Sequence, residues 1–185
     1  MSDSFGGYKM LENIKIDQIK AVVMDVDGVL TDGTFWWDSN NVELKRFCFA
    51  DITGIPFAQK AGIKIALMSG ESSVSGMAIV ERYAQKLKIE EIYKGCKDKA
   101  KSIIEFAKRN NFDLSEICFI GDDVNDLPAM KIVGLSVAPP NAHPSVLKSV
   151  DFITRHRGGD GAVREFLDML LEQKMKAKET ITIGV

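Results

Sequence analysis

Cysteine is scarce in this chain, with three copies in 185 residues, at Cys48, Cys96 and Cys118. Their number is odd and their spacing matches no metal-binding pattern, so a site built from cysteine ligands is not expected. Cys118 lies within an apolar run and is predicted to be a buried core thiol, as free cysteines commonly are. This cysteine usage fits the reducing conditions of the cytoplasm.

Long apolar runs and an excess of positive charge are also missing. No run approaches the roughly 18 apolar residues that a membrane helix needs, and the first residues, "MSDSFGGYKMLENIKIDQ", lack the pattern of a signal peptide. The formal net charge is −2, and no basic patch is rich in aromatic residues. We therefore expect a cytoplasmic protein that uses neither a membrane nor a nucleic acid as its partner.

The chain does contain 45% hydrophobic and 27% charged residues, as expected of a soluble globular domain. Short apolar segments alternate with helical patterns, which predicts βαβ units, and right-handed crossovers then give a Rossmann-like, doubly wound parallel sheet of the α/β class. Strands are predicted at 19–25, 63–69, 90–94, 117–121, 134–137 and 151–154. Helices are predicted at 51–61, 74–88, 98–110, 125–133, 143–149 and 160–175.

Residues 33–49 interrupt this alternation. Two β-rich runs flank the turn "DSNN", which predicts a β-hairpin inserted after the first strand. No insertion is long enough to form a second domain. We expect one domain at 19–175, with an N-terminal extension at 1–18 and a C-terminal tail at 176–185.

Polar residues follow several predicted strands, at the edge where ligands bind in open parallel sheets. They are Asp25 and Asp27 after the first strand, Ser69 and Gly70 after the second, Asp122, Asp123 and Asp126 after the fourth, and Lys99 before the fourth. Clustered carboxylates repel each other unless a hard cation shares them, and Mg²⁺ prefers oxygen ligands together with phosphate. One carboxylate could then attack phosphorus while another transfers protons.

Each of these features alone has an ordinary interpretation. A DxD sequence is commonly a turn, Ser69 could cap a strand end, and Lys99 could be a solvated helix residue. "GDDVND" could be a capped helix start, where acids are favoured. Their occurrence together, in order and at strand ends, favours phosphoryl transfer.

"DVDGVLT", "SG", Lys99 and "GDDVND" resemble the four motifs of the haloacid dehalogenase superfamily of phosphotransferases, over residues 20 to 170. The resemblance implies that Asp25 is the nucleophile and Asp27 the general acid and base. It implies Mg²⁺ held by Asp25, the main-chain carbonyl of Asp27, and Asp122. By the same resemblance, Ser69 and Lys99 bind the phosphoryl group, and Asp123 and Asp126 support the metal ligands from behind.

The hairpin and the late segment "GGDGAVREFLDMLL" resemble a subfamily without a cap domain. Its members act on 3-deoxy-octulosonate 8-phosphate and on nine-carbon keto-sugar-acid 9-phosphates. The resemblance implies a homotetramer in which hairpins pack together and each active site is covered by an adjacent chain. Trp36 and Trp37 suit that interface, since aromatic residues are enriched at interfaces. Alternatively, they could cover the core of their own subunit.

The substrate-binding residues that the resemblance implies are Ser69, Gly70, Glu71, Lys86 and Lys99. Glu71 stands where the eight-carbon branch typically has arginine, and Pro56 and Tyr83 stand where further arginines are expected. Glu71 and Lys86 instead resemble the nine-carbon branch, although Lys86 could be a solvated helix lysine. The predicted substrate is therefore a 2-keto-3-deoxy-nononate or N-acylneuraminate 9-phosphate.

Two alternatives stay open. One is a 3-deoxy-D-manno-octulosonate 8-phosphate phosphatase. The other is a non-catalytic oligomerisation domain like the one fused to some sialic-acid cytidylyltransferases, and the intact Asp25, Asp27, Lys99 and Asp122 count against it. Asp32 is expected to have a structural role at the base of the hairpin.

Overall fold

A computed structural model describes residues 16–183, with side chains described through residue 177. In chain order the strands are β1 (Ala21–Met24), β2 (Trp36–Trp37), β3 (Glu43–Leu44), β4 (Lys64–Met68), β5 (Glu91–Tyr93), β6 (Ile117–Ile120), β7 (Leu135–Ala138) and β8 (Phe152–Ile153). The helices are α1 (Phe49–Lys60), α2 (Val74–Leu87), α3 (Lys99–Asn110), α4 (Leu127–Met130), α5 (Pro144–Leu147) and α6 (Ala162–Ile183). Short 3₁₀ turns lie at Ile16–Gln18 and Leu114–Glu116.

Six strands form one sheet in the order β5-β4-β1-β6-β7-β8, and all neighbours pair in parallel. From β1 the chain passes to β4 on one side and later returns to β6 on the other. The strand order therefore reverses next to β1, which opens a crevice beyond the carboxyl ends of these central strands. The predicted α/β doubly wound sheet is confirmed.

The central strand is buried on both faces, which explains its unbroken apolar sequence. Successive side chains point to opposite faces of a strand. Val22 and Met24 belong to the core beneath α1, α2 and α6, whereas Ala21 and Val23 belong to the core beneath α3, α4 and α5. Cys118 on β6 is fully buried, as predicted, and burial raises the pKa of its thiol.

The predicted hairpin is present as an antiparallel pair of β2 and β3, with Trp36 opposite Leu44. Its turn is closed by Asp38, whose carboxylate accepts the N–H groups of Asn40 and Val42, both at 2.8 Å. Within residues 16–183 no cap domain accompanies the hairpin. The predicted hairpin is therefore confirmed.

The ends of the chain differ from expectation in one respect. Helix α6 continues to Ile183, past the predicted helix end at residue 175 and into the predicted tail. Most of the predicted extension at 1–18 lies outside the described residues, and the domain limits at 19 and 175 stay a prediction. Among the helices of residues 16–183, none is both long and apolar enough to cross a lipid bilayer.

Candidate active site

A buried lysine joins two acids at the carboxyl edge of the sheet. Asp25 directly follows β1, where its N–H donates to the carbonyl of Ile120 at 2.9 Å. Lys99 opens α3, and its Nζ lies 3.0 Å from Oδ1 of Asp25 and 2.5 Å from Oδ1 of Asp126. The Lys99 side chain is 1% exposed and that of Asp126 is fully buried. Such charges are tolerated in a core only when they are paired.

Asp126 also orders the loop that follows β6. Its second oxygen, Oδ2, accepts the N–H groups of Asp122 at 3.0 Å and of Asp123 at 3.2 Å. Both oxygens of Asp126 are therefore engaged within the protein, whereas Oδ1 of Asp122 is buried and has no hydrogen-bond partner. Asp126 therefore holds the loop in place, and an oxygen of Asp122 stays available to a ligand.

Two carboxyl groups of the site have raised pKa values. Burial raises the pKa of Asp25 to about 7, with Lys99 opposing the shift and Asp126 adding to it. Burial, followed by the charge of Asp25, raises the pKa of Asp122 to about 8. Carboxylate oxygens of Asp25, Asp122 and Asp126 lie within 4.8 Å of one another. An all-oxygen set with an unpartnered buried oxygen fits a hard divalent cation such as Mg²⁺.

Gly28 makes this close arrangement possible, although the sequence analysis did not single it out. It has a φ of +85°, and a Cβ at this position would overlap the carboxylate of Asp122. Only glycine satisfies both the backbone conformation and the close approach. The glycine directly after "DVD" is the feature of the sequence that could have indicated this close approach.

Asp27 faces the hairpin, not the lysine of α3. Lys45, just after β3, donates to both of its carboxylate oxygens, at 2.8 and 3.0 Å. The Lys45 side chain is only 3% exposed and also lies 3.4 Å from Glu43. The sequence analysis missed Lys45, because the alternation of apolar and polar residues in a hairpin does not show which distant residue a side chain contacts.

Ser69 and Glu71 occupy the turn after β4. The hydroxyl of Ser69 accepts the N–H of Glu71 at 3.1 Å. Oε1 of Glu71 accepts the N–H groups of Ser73 at 2.6 Å and Ser72 at 2.8 Å, and these hydrogen bonds lower the pKa of Glu71. A cavity of about 290 Å³ is lined by Asp25, Asp27, Gly33, Gly70, Glu71, Asp122, Asp123 and Asn125.

Lys86 is the predicted site residue that lies apart from the others. It lines a separate cavity of about 550 Å³, together with Lys45 and Tyr83, and not the one that contains Asp25. Helix α2 rises by 1.5 Å per residue, so Lys86 stands roughly 18 Å along its axis from the first helical residue, Val74. Within one chain, Lys86 does not line the cavity that contains Asp25.

Asp32 lies at the base of the hairpin, in agreement with its expected structural role. Its Oδ1 accepts the N–H of Thr34 at 3.0 Å, and its Oδ2 lies 3.3 Å from Nε of Arg46. Trp36 and Trp37 are 53% and 66% exposed, so they do not cover the core of their own subunit. The alternative interpretation of this pair is therefore wrong for the chain taken alone.

Comparison with known proteins identifies the family. A family model described as haloacid dehalogenase-like hydrolase matches residues 73–167, about half of the chain. The chain belongs to the haloacid dehalogenase-like hydrolases. It is 36% identical over 165 residues to the 3-deoxy-D-manno-octulosonate 8-phosphate phosphatase KdsC of Escherichia coli K12, covering 89% of this chain and 86% of that protein.

Solved structures of this family have the same fold. A 3-deoxy-D-manno-octulosonate 8-phosphate phosphatase from Moraxella catarrhalis, in complex with magnesium, phosphate and KDO, superimposes with a TM-score of 0.84 at 32% identity, covering 96% of this chain and 99% of that one. A cobalt-bound phosphatase from Haemophilus influenzae gives 0.81 at 35% identity, covering 87% and 92%. The predicted haloacid dehalogenase-type phosphatase is confirmed.

Proposed function

We propose that this phosphatase hydrolyses the terminal phosphate ester of a 2-keto-3-deoxy sugar acid in a Mg²⁺-dependent reaction. The proposal rests above all on one arrangement: the buried Lys99 bridges Asp25 and Asp126 beside the unpartnered oxygen of Asp122. That arrangement places a carboxylate nucleophile and metal ligands on one cavity, with the ammonium group of Lys99 in contact with the nucleophile. The octulosonate phosphatases among the relatives support the substrate class.

In the proposed reaction, a carboxylate oxygen of Asp25 attacks phosphorus, forming an aspartyl-phosphate as the bond to the sugar oxygen breaks. Asp27 gives a proton to the departing sugar oxygen and later takes one from the attacking water. Water then releases inorganic phosphate and restores Asp25. Ser69 and Lys99 bind the phosphoryl oxygens, where the charge of the transition state is spread.

Asp25, Asp122 and the main-chain carbonyl of Asp27 would hold Mg²⁺, with Asp123 and Asp126 ordering these ligands. When bound, the ion neutralises charge on the phosphoryl oxygens. The magnesium and cobalt in the two related structures support this assignment.

A nine-carbon 9-phosphate is the substrate that we propose, because Glu71 stands at the cavity that contains Asp25, where the eight-carbon branch typically has arginine. A carboxylate there repels a substrate carboxylate but accepts hydrogen bonds from hydroxyl or amide groups. The eight-carbon 8-phosphate is the second candidate, and the names of the relatives favour it.

We also propose a homotetramer in which neighbouring chains complete the active sites. The exposed Trp36 and Trp37 support an interface at the hairpin. Assembly would also explain how Lys86, which lines a different cavity from Asp25 within one chain, could contact the substrate bound to a neighbouring chain. The free thiols of Cys48, Cys96 and Cys118 fit the cytoplasm as the location.

The test is steady-state hydrolysis of the purified nine- and eight-carbon sugar-acid phosphates, with Mg²⁺, with Ca²⁺ and with excess chelator. We expect the higher kcat/KM with the nine-carbon ester, no turnover in chelator and inhibition by Ca²⁺, which takes more ligands at longer distances. Preference for the eight-carbon ester would select the second candidate. Full activity in chelator would reject the metal site.

A further inference from the structure

Lys45 connects the hairpin to the predicted proton-transfer group. The Asp27 side chain is 42% exposed, so an unpartnered carboxylate there would be free to turn. Lys45 contacts both of its oxygens, at 2.8 and 3.0 Å, and is itself almost fully buried. A buried ammonium that contacts both oxygens restricts the carboxylate to one orientation.

The neighbouring residue provides an internal comparison. Arg46 also reaches back from the hairpin to the loop after β1, where its Nε lies 3.3 Å from Asp32. Its side chain is 52% exposed, and Asp32 does not line the cavity that contains Asp25. Both contacts attach the hairpin, but only Lys45 touches the group assigned to proton transfer.

We propose that Lys45 is a positioning residue for the reaction: it orients Asp27 so that the carboxyl group reaches the ester oxygen. This proposal rests on the proposed function. One oxygen of Asp27 stays bonded to the ammonium of Lys45, while the other carries the proton. As Asp25 forms its bond to phosphorus and the bond from phosphorus to the ester oxygen breaks, that proton passes to the ester oxygen. The same oxygen takes a proton back when water attacks the aspartyl-phosphate.

Esters with different leaving groups can distinguish a role of Lys45 in positioning Asp27 from a role only in attaching the hairpin. An alkyl phosphate such as glycerol phosphate releases a strongly basic alkoxide and needs the proton, whereas p-nitrophenyl phosphate releases a stable anion without it. The ratio kcat/KM covers only the steps through phosphoryl transfer, so it reports on this first proton transfer. General acid catalysis typically contributes ~10²–10⁴-fold, and misplacement forfeits part of it.

In the full chain with Mg²⁺, Lys45→Met should lower kcat/KM for glycerol phosphate by about ten-fold or more. The loss with p-nitrophenyl phosphate should be much smaller, and Lys45→Arg should restore part of the loss. Arg46→Met is the matched control and should affect both esters little. In an Asp27→Asn background, Lys45→Met should cause almost no further loss, because the two residues act in one step.

Equal losses of Lys45→Met on both esters, or the same selective loss in Arg46→Met, would overturn the proposal. Thermal unfolding of each variant checks the fold, and Lys45→Gln replaces Lys45→Met if the latter does not fold. A wild-type protein inactive on both esters would instead reject the proposed function itself.

Discussion

The carboxyl edge of the sheet and the hairpin differ in the kind of side chain that each buries or exposes. At the sheet edge, charged side chains are buried, with Lys99 1% and Asp126 0% exposed. At the hairpin, large apolar side chains face outward, with Trp36 and Trp37 more than half exposed. Buried charge and exposed aromatic surface both depart from the usual distribution of residue types, and each departure indicates a candidate functional region.

This difference separates two tasks. The charged groups at the sheet edge bind one another within a single chain, so the groups that we propose for phosphoryl transfer are already arranged in one subunit. The hairpin has strands of only two residues each, and Trp36 and Trp37 are more than half exposed even though the ring of Phe35 packs against Trp37. From this difference we expect bond cleavage to depend mainly on groups of one subunit, and choice of substrate to depend on neighbouring subunits as well.

Removing the nucleophile should have the largest effect. Asp25→Asn preserves the shape of the side chain but cannot attack phosphorus, so kcat should fall by at least about 10⁴-fold on every ester. Circular dichroism should show an unchanged fold. Substantial turnover by the folded variant would contradict the aspartyl-phosphate route.

Lys99→Met should remove activity and also destabilise the protein in chelator. Breaking a buried charge pair by removing one partner costs about 3–5 kcal/mol, because uncompensated charge remains inside. Urea unfolding measures the loss. Lys101→Met, an exposed position on the same helix, is the control and should change little. Equal stability of the two variants would show that Lys99 does not neutralise the acids.

Magnesium binding should strengthen as pH rises from 6 to 8. The pKa values of Asp25 and Asp122 are raised to about 7 and about 8, so both carboxyl groups must lose protons before they bind the ion. Each proton released should tighten binding by about ten-fold per pH unit. Calorimetry in two buffers with different ionisation enthalpies would count these protons.

The raised pKa values of Asp25 and Asp122 also predict how the stability of the protein changes with pH. Raised pKa values mean that the folded protein binds more protons than the unfolded chain. Without metal, the contribution of these two acids to stability is therefore fully present below their ordinary pKa of 3.8, falls as pH rises above it, and is lost once pH passes about 7 and 8. The increase in Tm on adding Mg²⁺ should be greater at pH 8 than at pH 6, and a pH-independent increase would contradict the shifts.

A substitution at Glu71 should have a smaller effect than the changes above, and the effect should be on the preference between the two substrates. Glu71→Arg should shift the kcat/KM ratio toward the eight-carbon ester by about ten-fold, since a charge-assisted hydrogen bond contributes roughly 1.5–3 kcal/mol. Glu90→Arg changes the same charge just before β5, at the opposite edge of the sheet, and should not shift the ratio. A ratio that moves equally in both variants would assign the effect to net charge.

Disrupting the hairpin surface should affect the chemistry least. Replacing both Trp36 and Trp37 with serine should dissociate the proposed tetramer, as light scattering would show. Hydrolysis of p-nitrophenyl phosphate should stay nearly unchanged, because the small ester needs only the sheet edge, while the sugar-acid phosphate should lose kcat/KM. An unchanged assembly would place the interface elsewhere.

The sequence predicted the six sheet strands, the hairpin and the acids at the strand ends, because these features are local. Strands have continuous apolar runs, and parallel strands place their carboxyl ends at one edge. Helix limits were less accurate. The helix predicted at 125–133 is only Leu127–Met130, and the one predicted at 160–175 reaches Ile183. Such limits depend on capping and tertiary packing, which hydrophobic periodicity does not report.

By itself, the sequence determined the family, the order of the strands along the chain and the set of groups available for phosphoryl transfer. The tertiary structure alone decided how those groups are paired: Lys99 with Asp25 and Asp126, and Lys45 with Asp27. The partners of each lysine are 18 to 74 positions away along the chain. Contacts over such separations are set by strand order and crossovers, and a side chain has no local signature of the partner that the fold brings to it.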